Sequence, residues 1–347
     1  MRAFTIAGLT ALCATAFAAS LPDQINIKGK NLYPEDAVYD QTRDMYYQSN
    51  LWKGKVSVWD VKKKERFNVE IPGVTSGGDG EQQASGVSIS KTTNAKNFYV
   101  VAKNSAAFRF GPDQKTDGPC SYHAFNLPLT RESKPIWSVY FDDVQKDFES
   151  REGNRPFGPV AAAQDNDGNS YVVFALGIPA VAKITSDGKT VIPWGYEHSN
   201  GKQRPGYTGV AFDPRANKIL CFGGPRALTS YDVTTDWGWP TPVDIKGDFG
   251  KLDGTEKLTY VPVGDRSVLV GARSPDAVAF HSDDNWKTAT VKKTTKKSLN
   301  DIGFTAVTYY KKGDKVGIYA SGAYFGDGAH GGRTDFPLIK LDNSILY

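Results

Sequence analysis

The chain has 347 residues, 39% of them hydrophobic and 23% charged, with 42 basic against 38 acidic side chains. That balance argues against a disordered chain and gives nucleic-acid binding no electrostatic basis. With 35 Gly and 19 Pro, the composition is not low in complexity, but it suits a fold with many tight turns.

The N-terminal run MRAFTIAGLTALCATAFAAS carries Arg2, an apolar stretch from Phe4 to Phe17 and the small-x-small pattern Ala16-Phe17-Ala18. It predicts a secretory signal peptide over residues 1–18, followed by one mature domain over 19–347. The alternative, a membrane anchor, is disfavoured because the apolar run is short and no positive flank follows it. No later segment approaches the roughly 20 apolar residues of a membrane span, so the mature chain is expected to enter the secretory pathway and be released without membrane insertion. Cys13 leaves with the signal, and the remaining Cys120 and Cys221 permit one disulfide without requiring it. Cys221, in KILCFG, reads as a buried thiol in a strand.

From Pro34 onward one unit recurs: a β-rich run, a polar turn, a second apolar run, then a Gly/Ser/Asn break. The first strands begin at PEDAVYD (Pro34), SGVSIS (Ser85), GPVAAA (Gly158), TGVAFD (Thr208), KLTYVP (Lys257) and GFTAVTYY (Gly303). The second strands are MYYQSN, FYVVAKN, SYVVFALG, ILCFGG, SVLVGAR and VGIYASG, reached through hairpin turns such as DPRANK and VGDRS. Third strands are expected in KVSVWDV, AAFRF, AVAKIT, ALTSYDV, AVAFHS and PLIKLD. Six such units predict an all-β, six-bladed β-propeller with four-stranded antiparallel blades. A pair of β-sandwiches is the alternative. Blade two is longer than the rest, with an insertion over Pro112 to Arg155, and INIKG (Ile25 to Gly29) is placed to add the outermost strand of the last blade and close the ring.

In this architecture the first strands line a channel, and the loops entering them share a face with the loops after the second strands. The first set nominates Glu35, Asp36, Ser85, Phe157, Tyr207, Thr208, Lys257 and Asp301; the second nominates Asn50, Lys103, Asn104, Arg226, Arg273 and Tyr324. Glu35 and Lys257 occupy equivalent positions in blades one and five. A partly desolvated channel would shift such groups toward neutrality and suit acid-base work, although a structural ion pair is the plainer reading. Asp36 ranks below Glu35, as a residue that can bond backbone amides at a strand start. Arg155, Arg226 and Arg273 are candidates to hold an oxyanion, and Tyr207 to donate a hydrogen bond to substrate, against surface exposure and packing respectively.

His123, in the blade-two insertion, is a candidate lid residue; the four histidines form no metal-binding pair. DNDGN (Asp165 to Asn169) resembles the start of a calcium loop but lacks the Glu at position twelve, and its alignment with five other hairpins makes it a turn. The Gly-rich tract Ser321 to Asp335 lacks a GK[ST] ending and reads as a loop over the channel mouth, not a nucleotide site.

NLYPEDAVYD with YYQSNLWKGKVSVWD resembles the gluconolactonase-like propeller superfamily, and the chain as a whole resembles the fungal propeller proteins of trichothecene biosynthetic clusters. The first resemblance implies a divalent metal held by an acidic residue on the first inner strand, which Glu35 matches, and by Asn or Asp on later ones. Those later positions carry Phe157, Thr208 and Lys257 instead, so no metal ligand set and no cofactor is assigned. The second implies a role in making or handling an oxygenated terpenoid. Together they favour a metal-independent cyclase or isomerase of fungal specialised metabolism, with Glu35 as acid or base, Lys257 setting its pKa and Tyr207 assisting. The alternatives are a secreted small-molecule-binding or virulence protein without chemistry, and a metal-dependent lactonase or esterase.

Overall fold

The computed structural model describes residues 20–90, 96–106, 118–264, 266–299 and 301–347, so the signal-peptide segment lies outside the described residues. Among the described residues six sheets, five of them wholly antiparallel, are arranged in chain order. Their innermost strands are Ala37–Asp40, Gln82–Ile89, Phe157–Gln164, Tyr207–Asp213, Thr255–Val263 and Phe304–Lys312, each within three residues of the expected start. The fold is therefore the six-bladed propeller that the repeat implied.

The ring closes through its N-terminus: Gln24 pairs with Ile339 and Ile25 with Leu338, which makes Gln24–Ile25 the outermost strand of blade six. The closure begins one residue earlier than INIKG suggested, and further along it continues through a bridge between Lys28 and Asp335 and a hydrogen bond from Asn31 N–H to the Arg333 carbonyl. Blade five departs from the four-stranded pattern, because Asp244–Lys246 adds a fifth strand parallel to Thr288–Thr295.

Blade two corrects the reading of its third strand. That strand is Ser121–Asn126, followed by Trp137–Tyr140, so AAFRF is not the third strand and all but its first residue lies outside the described residues. The expected insertion thus holds two regular strands of the blade together with an α-helix, α1 (Asp142–Glu152). Helix α1 has Asp142 and Asp143 in its first turn and ends at Gly153, whose φ of 72° is the left-handed conformation that closes helices. It buries Val144 and Phe148, and the Phe148 ring meets Phe174 and Tyr196 of blade three edge to face.

The core lies between blades, as flat sheets stacked radially require. Tyr47 packs against Phe98 across blades one and two at 5.2 Å, and Tyr39 against Tyr309 across blades one and six at 5.8 Å. Trp286 of blade five donates its indole N–H to Asp213 of blade four at 2.8 Å, so a buried carboxylate and a buried ring satisfy each other. Cys120 and Cys221 are both buried and free. Asp165 folds its turn by accepting the backbone N–H groups of Asp167 and Asn169, as the turn reading required.

Candidate active site in the central channel

Five of the six inner strands break register near their entrance, between Ala84 and Val87, Pro159 and Ala161, Tyr207 and Gly209, Thr255 and Leu258, and Phe304 and Ala306. Such bulges re-aim side chains, and in blade five the irregularity spans Glu256 and Lys257. A regular strand would send these neighbours to opposite faces; here both join one charged cluster with Glu35, Asp36 and Lys103.

Lys257 is 2% exposed, and its Nζ donates to the carbonyl of Val160 in blade three. Asp36 is also buried; its carboxylate accepts the backbone N–H of Ala37 at 2.9 Å and that of Val87 at 2.9 Å, which ties blade one to blade two. Glu35 pairs with Lys103 at 2.9 Å through Oε1, while its buried Oε2 has no hydrogen-bond partner among the described residues. Burial dominates the protonation of the cluster. It pushes Asp36 up to about 6 against the pull of Lys257, lifts the half-buried Glu256 to about 7 with help from Glu35, and lowers the Lys257 amine.

Asp36 and Lys257 line a cavity of about 290 Å³ in the channel, at the end nearer the entrances of the inner strands. Its walls mix apolar side chains such as Val38, Ile89, Val210 and Leu258 with polar ones such as Ser88, Gln164 and Thr308, and it extends to the first hairpin turns at Gln41, Thr42 and Pro214. The enclosed volume thus lies on the side where the inner strands finish, whereas the sequence placed the ligand funnel at the side where they begin. Two glycines allow the channel to narrow at the charged end. A Cβ on Gly209 would lie 2.5 Å from the Leu258 nitrogen, and one on Gly86 would lie 2.4 Å from the Val160 oxygen.

The sequence-nominated residues divide accordingly. Glu35, Asp36, Lys103 and Lys257 come together, but only Asp36 and Lys257 of these line the cavity, which reverses the order given to Glu35 and Asp36. Ser85 is buried beside them, donating to the Pro159 carbonyl at 3.1 Å. Tyr207 faces away: its hydroxyl donates to Glu197 at 2.8 Å and lies 2.8 Å from that of Tyr231, between blades three and four. Thr208 bonds the Phe222 carbonyl and Thr255 at 3.3 Å each.

The arginines do not converge. Arg155 is held by Asp142 and Gln145 of helix α1, Arg226 lies 3.5 Å from Glu197, and Arg273 is engaged by Asp276 and the Phe249 carbonyl. Phe157 sits beneath Arg155 with 5.9 Å between guanidinium and ring centre. Asn50 donates to the Asn31 carbonyl, Asn104 accepts from the Ala106 N–H, and Asp301 is exposed. Tyr324 lies under Arg333 at 4.0 Å within the Gly-rich tract, where Gly332 donates to Asn31; that tract packs on blade one. His123 is no lid residue. It is 1% exposed on the third strand of blade two, with its ring nitrogens 2.9 Å from Ser121 Oγ and 2.8 Å from Ser138 Oγ, and burial lowers it to about 4.

Glu256 escaped the sequence reading because strict alternation turns it away from the channel once Lys257 is placed there; its only signal was an acidic residue at an inner-strand entrance. Among the described residues no group of three or more His, Cys, Asp or Glu side chains is arranged to hold a metal. Lys257 brings a positive charge into this cluster, and Phe157 and Thr208 offer no carboxylate or amide ligand, so the residues present do not fit the divalent ion of the lactonase-like pattern.

The fold and this centre define a six-bladed propeller whose channel cavity is lined by a buried lysine and a buried aspartate. The chain belongs to the Mal s 1 allergenic protein-like family, whose model matches residues 12–304. It is 55% identical over its whole length to the Major allergen Mal f 1 of Malassezia furfur, covering 99% of that protein. The crystal structure of the major Malassezia sympodialis allergen Mala s 1 is 56% identical, with a TM-score of 0.91 over 94% of this chain and 98% of that one. Trichothecene biosynthesis protein 14 of Trichoderma arundinaceum is 26% identical over 60% of this chain and 56% of its own length. A gluconolactonase from Xanthomonas campestris shares the fold, with a TM-score of 0.52 at 11% identity over 94% of this chain and 92% of that one.

Proposed function

We propose that the channel binds a compact, oxygenated, mostly apolar small molecule and acts on it by metal-independent proton transfer, as a cyclase or isomerase does. The observation that carries this reading is that Asp36 and Lys257, which influence each other electrostatically, both line the channel cavity. A carboxyl group poised near 6 both gives and takes protons at ambient pH, and a neighbouring fixed cation stabilises the oxyanion that develops. Glu35, paired with Lys103, favours the charged form of Lys257 against the effect of burial. The similarity to a trichothecene biosynthesis protein supports a terpenoid-like substrate, and the N-terminal residues support entry into the secretory pathway.

A second reading, a binding protein without chemistry, is favoured by one observation: the Asp36 carboxylate already accepts two backbone N–H groups, as a structural clamp does. Incubating the protein with a panel of hydroxylated and epoxidised sesquiterpenoids, with and without chelator, separates the readings. Chelator-insensitive conversion that Asp36→Asn abolishes while retaining ligand binding is the expected result. Binding without conversion favours the second reading, and chelator-sensitive conversion overturns the metal-independent one.

A further inference from the structure

We propose that Lys257 is a carbonyl-capturing amine, which condenses reversibly with an aldehyde or ketone in the channel cavity to give a protonated imine. The inference rests on the reading of the channel as a small-molecule site and names the functional group that site takes.

The geometry supplies each requirement. Lys257 lines the channel cavity, and its bond to the Val160 carbonyl fixes where Nζ stands. Burial lowers its amine, so Lys257 reaches the nucleophilic, unprotonated form at a lower pH than an exposed lysine. The charged groups facing it are Glu35, Asp36, Glu256 and Lys103. Asp36, held near 6, is the acid at hand.

The step balances within the cluster. The Nζ lone pair attacks the carbonyl carbon and forms a C–N bond, and a proton passes from nitrogen to the carbonyl oxygen to give a carbinolamine. Asp36 then protonates that hydroxyl, the C–O bond breaks, water leaves and the nitrogen lone pair completes the C=N bond. Neutral amine and neutral carboxyl become iminium and carboxylate, which is the same pair of charges as the resting ammonium and Asp36 carboxylate. Glu35, Asp36 and Glu256, whose charges favour the ammonium form of Lys257, favour the iminium in the same way.

The test treats the full chain with cyclohexanecarboxaldehyde and sodium cyanoborohydride near neutral pH and maps the modified lysines by peptide mass spectrometry. The expected result is reductive alkylation of Lys257 at least about ten-fold faster than that of exposed lysines, as an amine held in a carbonyl-binding cavity requires. Asp36→Asn is expected to slow it. Because the wild-type map itself decides the matter, the result does not depend on a variant folding. Cyclohexylmethanol, which cannot form an imine, is measured in parallel by native mass spectrometry and as a competitor. Binding of the alcohol with an unmodified Lys257 overturns the imine and leaves the channel reading standing. Neither binding nor modification overturns both.

Discussion

The Nζ of Lys257 donates to the carbonyl oxygen of Val160, joining blade five to blade three across the channel. A lysine usually neutralises one neighbouring carboxylate; this one faces Glu35, Asp36 and Glu256 while its hydrogen bond goes to backbone. It thus supplies inside the fold the positive charge that an ion would otherwise bring.

Removing that charge is the most direct challenge to the cluster. Lys257→Met keeps the length and apolar stem of the side chain but strands the carboxylates. Breaking a buried pair this way costs about 3–5 kcal/mol. Urea unfolding is expected to show a loss of that size, with partial recovery when Glu35→Gln is added. A loss that Glu35→Gln does not reduce would mean that packing, not charge, explains the role of Lys257.

Glu256 sets a pH dependence whose sign is opposite to that of a salt-bridged carboxylate. Its pKa is raised from 4.5 to about 7 in the folded protein, so the folded state binds the proton more tightly than the unfolded chain. Stability therefore falls as pH rises through that window, and Asp36, raised from 3.8 to about 6, adds the same trend slightly lower. Glu256→Gln is expected to be more stable than wild type by roughly 2–3 kcal/mol above about pH 7.5, with the gap closing near pH 4.5. A gap independent of pH would contradict the shift.

His123 works in the other direction. Burial lowers it from 6.5 to about 4, so the unfolded chain takes up its proton first as pH falls, and stability is lost below about pH 6.5. The loss between about pH 7 and pH 5 amounts to about 2 kcal/mol. His123→Gln, which can still bond Ser121 and Ser138, is expected to show a smaller fall in melting temperature over that interval. An unchanged fall would place the acid sensitivity elsewhere.

The fold was legible because a propeller repeats: six β-rich runs, each followed by a polar hairpin turn, place every inner strand to within three residues. Blade two was misread where a plausible apolar run, AAFRF, stands ahead of the true third strand, and only pairing with Asn97–Asn104 decides between them. The gathering of Glu35, Lys103 and Lys257 was legible in part, because equivalent positions of a ring face one channel. Glu256 was not, since a bulge overrides the alternation on which such reading depends. The direction of Tyr207 was equally hidden, because its partner Glu197 lies at the end of a different blade.

The approach of blade two to blade three can be tested without touching a charge. Gly86 lies so close to Val160 that an added Cβ would stand 2.4 Å from the Val160 oxygen and 2.8 Å from the Ala161 Cα. Both obstacles are backbone, so no side chain can swing away to relieve them. That oxygen is also the acceptor for Lys257, and an alanine must push it aside or push blade two outward. Gly86→Ala is therefore expected to destabilise the protein by about 1–3 kcal/mol or more, the range for overpacking. It is also expected to lower the reactivity of Lys257 toward the aldehyde probe. Gly326→Ala is the control, since nothing stands within 4 Å of its added Cβ, and it is expected to stay within about 0.5 kcal/mol of wild type. A Gly86→Ala protein that loses stability while Lys257 reacts as in wild type would show that the blades have parted without moving the carbonyl. The hydrogen bond to Val160 would then not be what positions the amine.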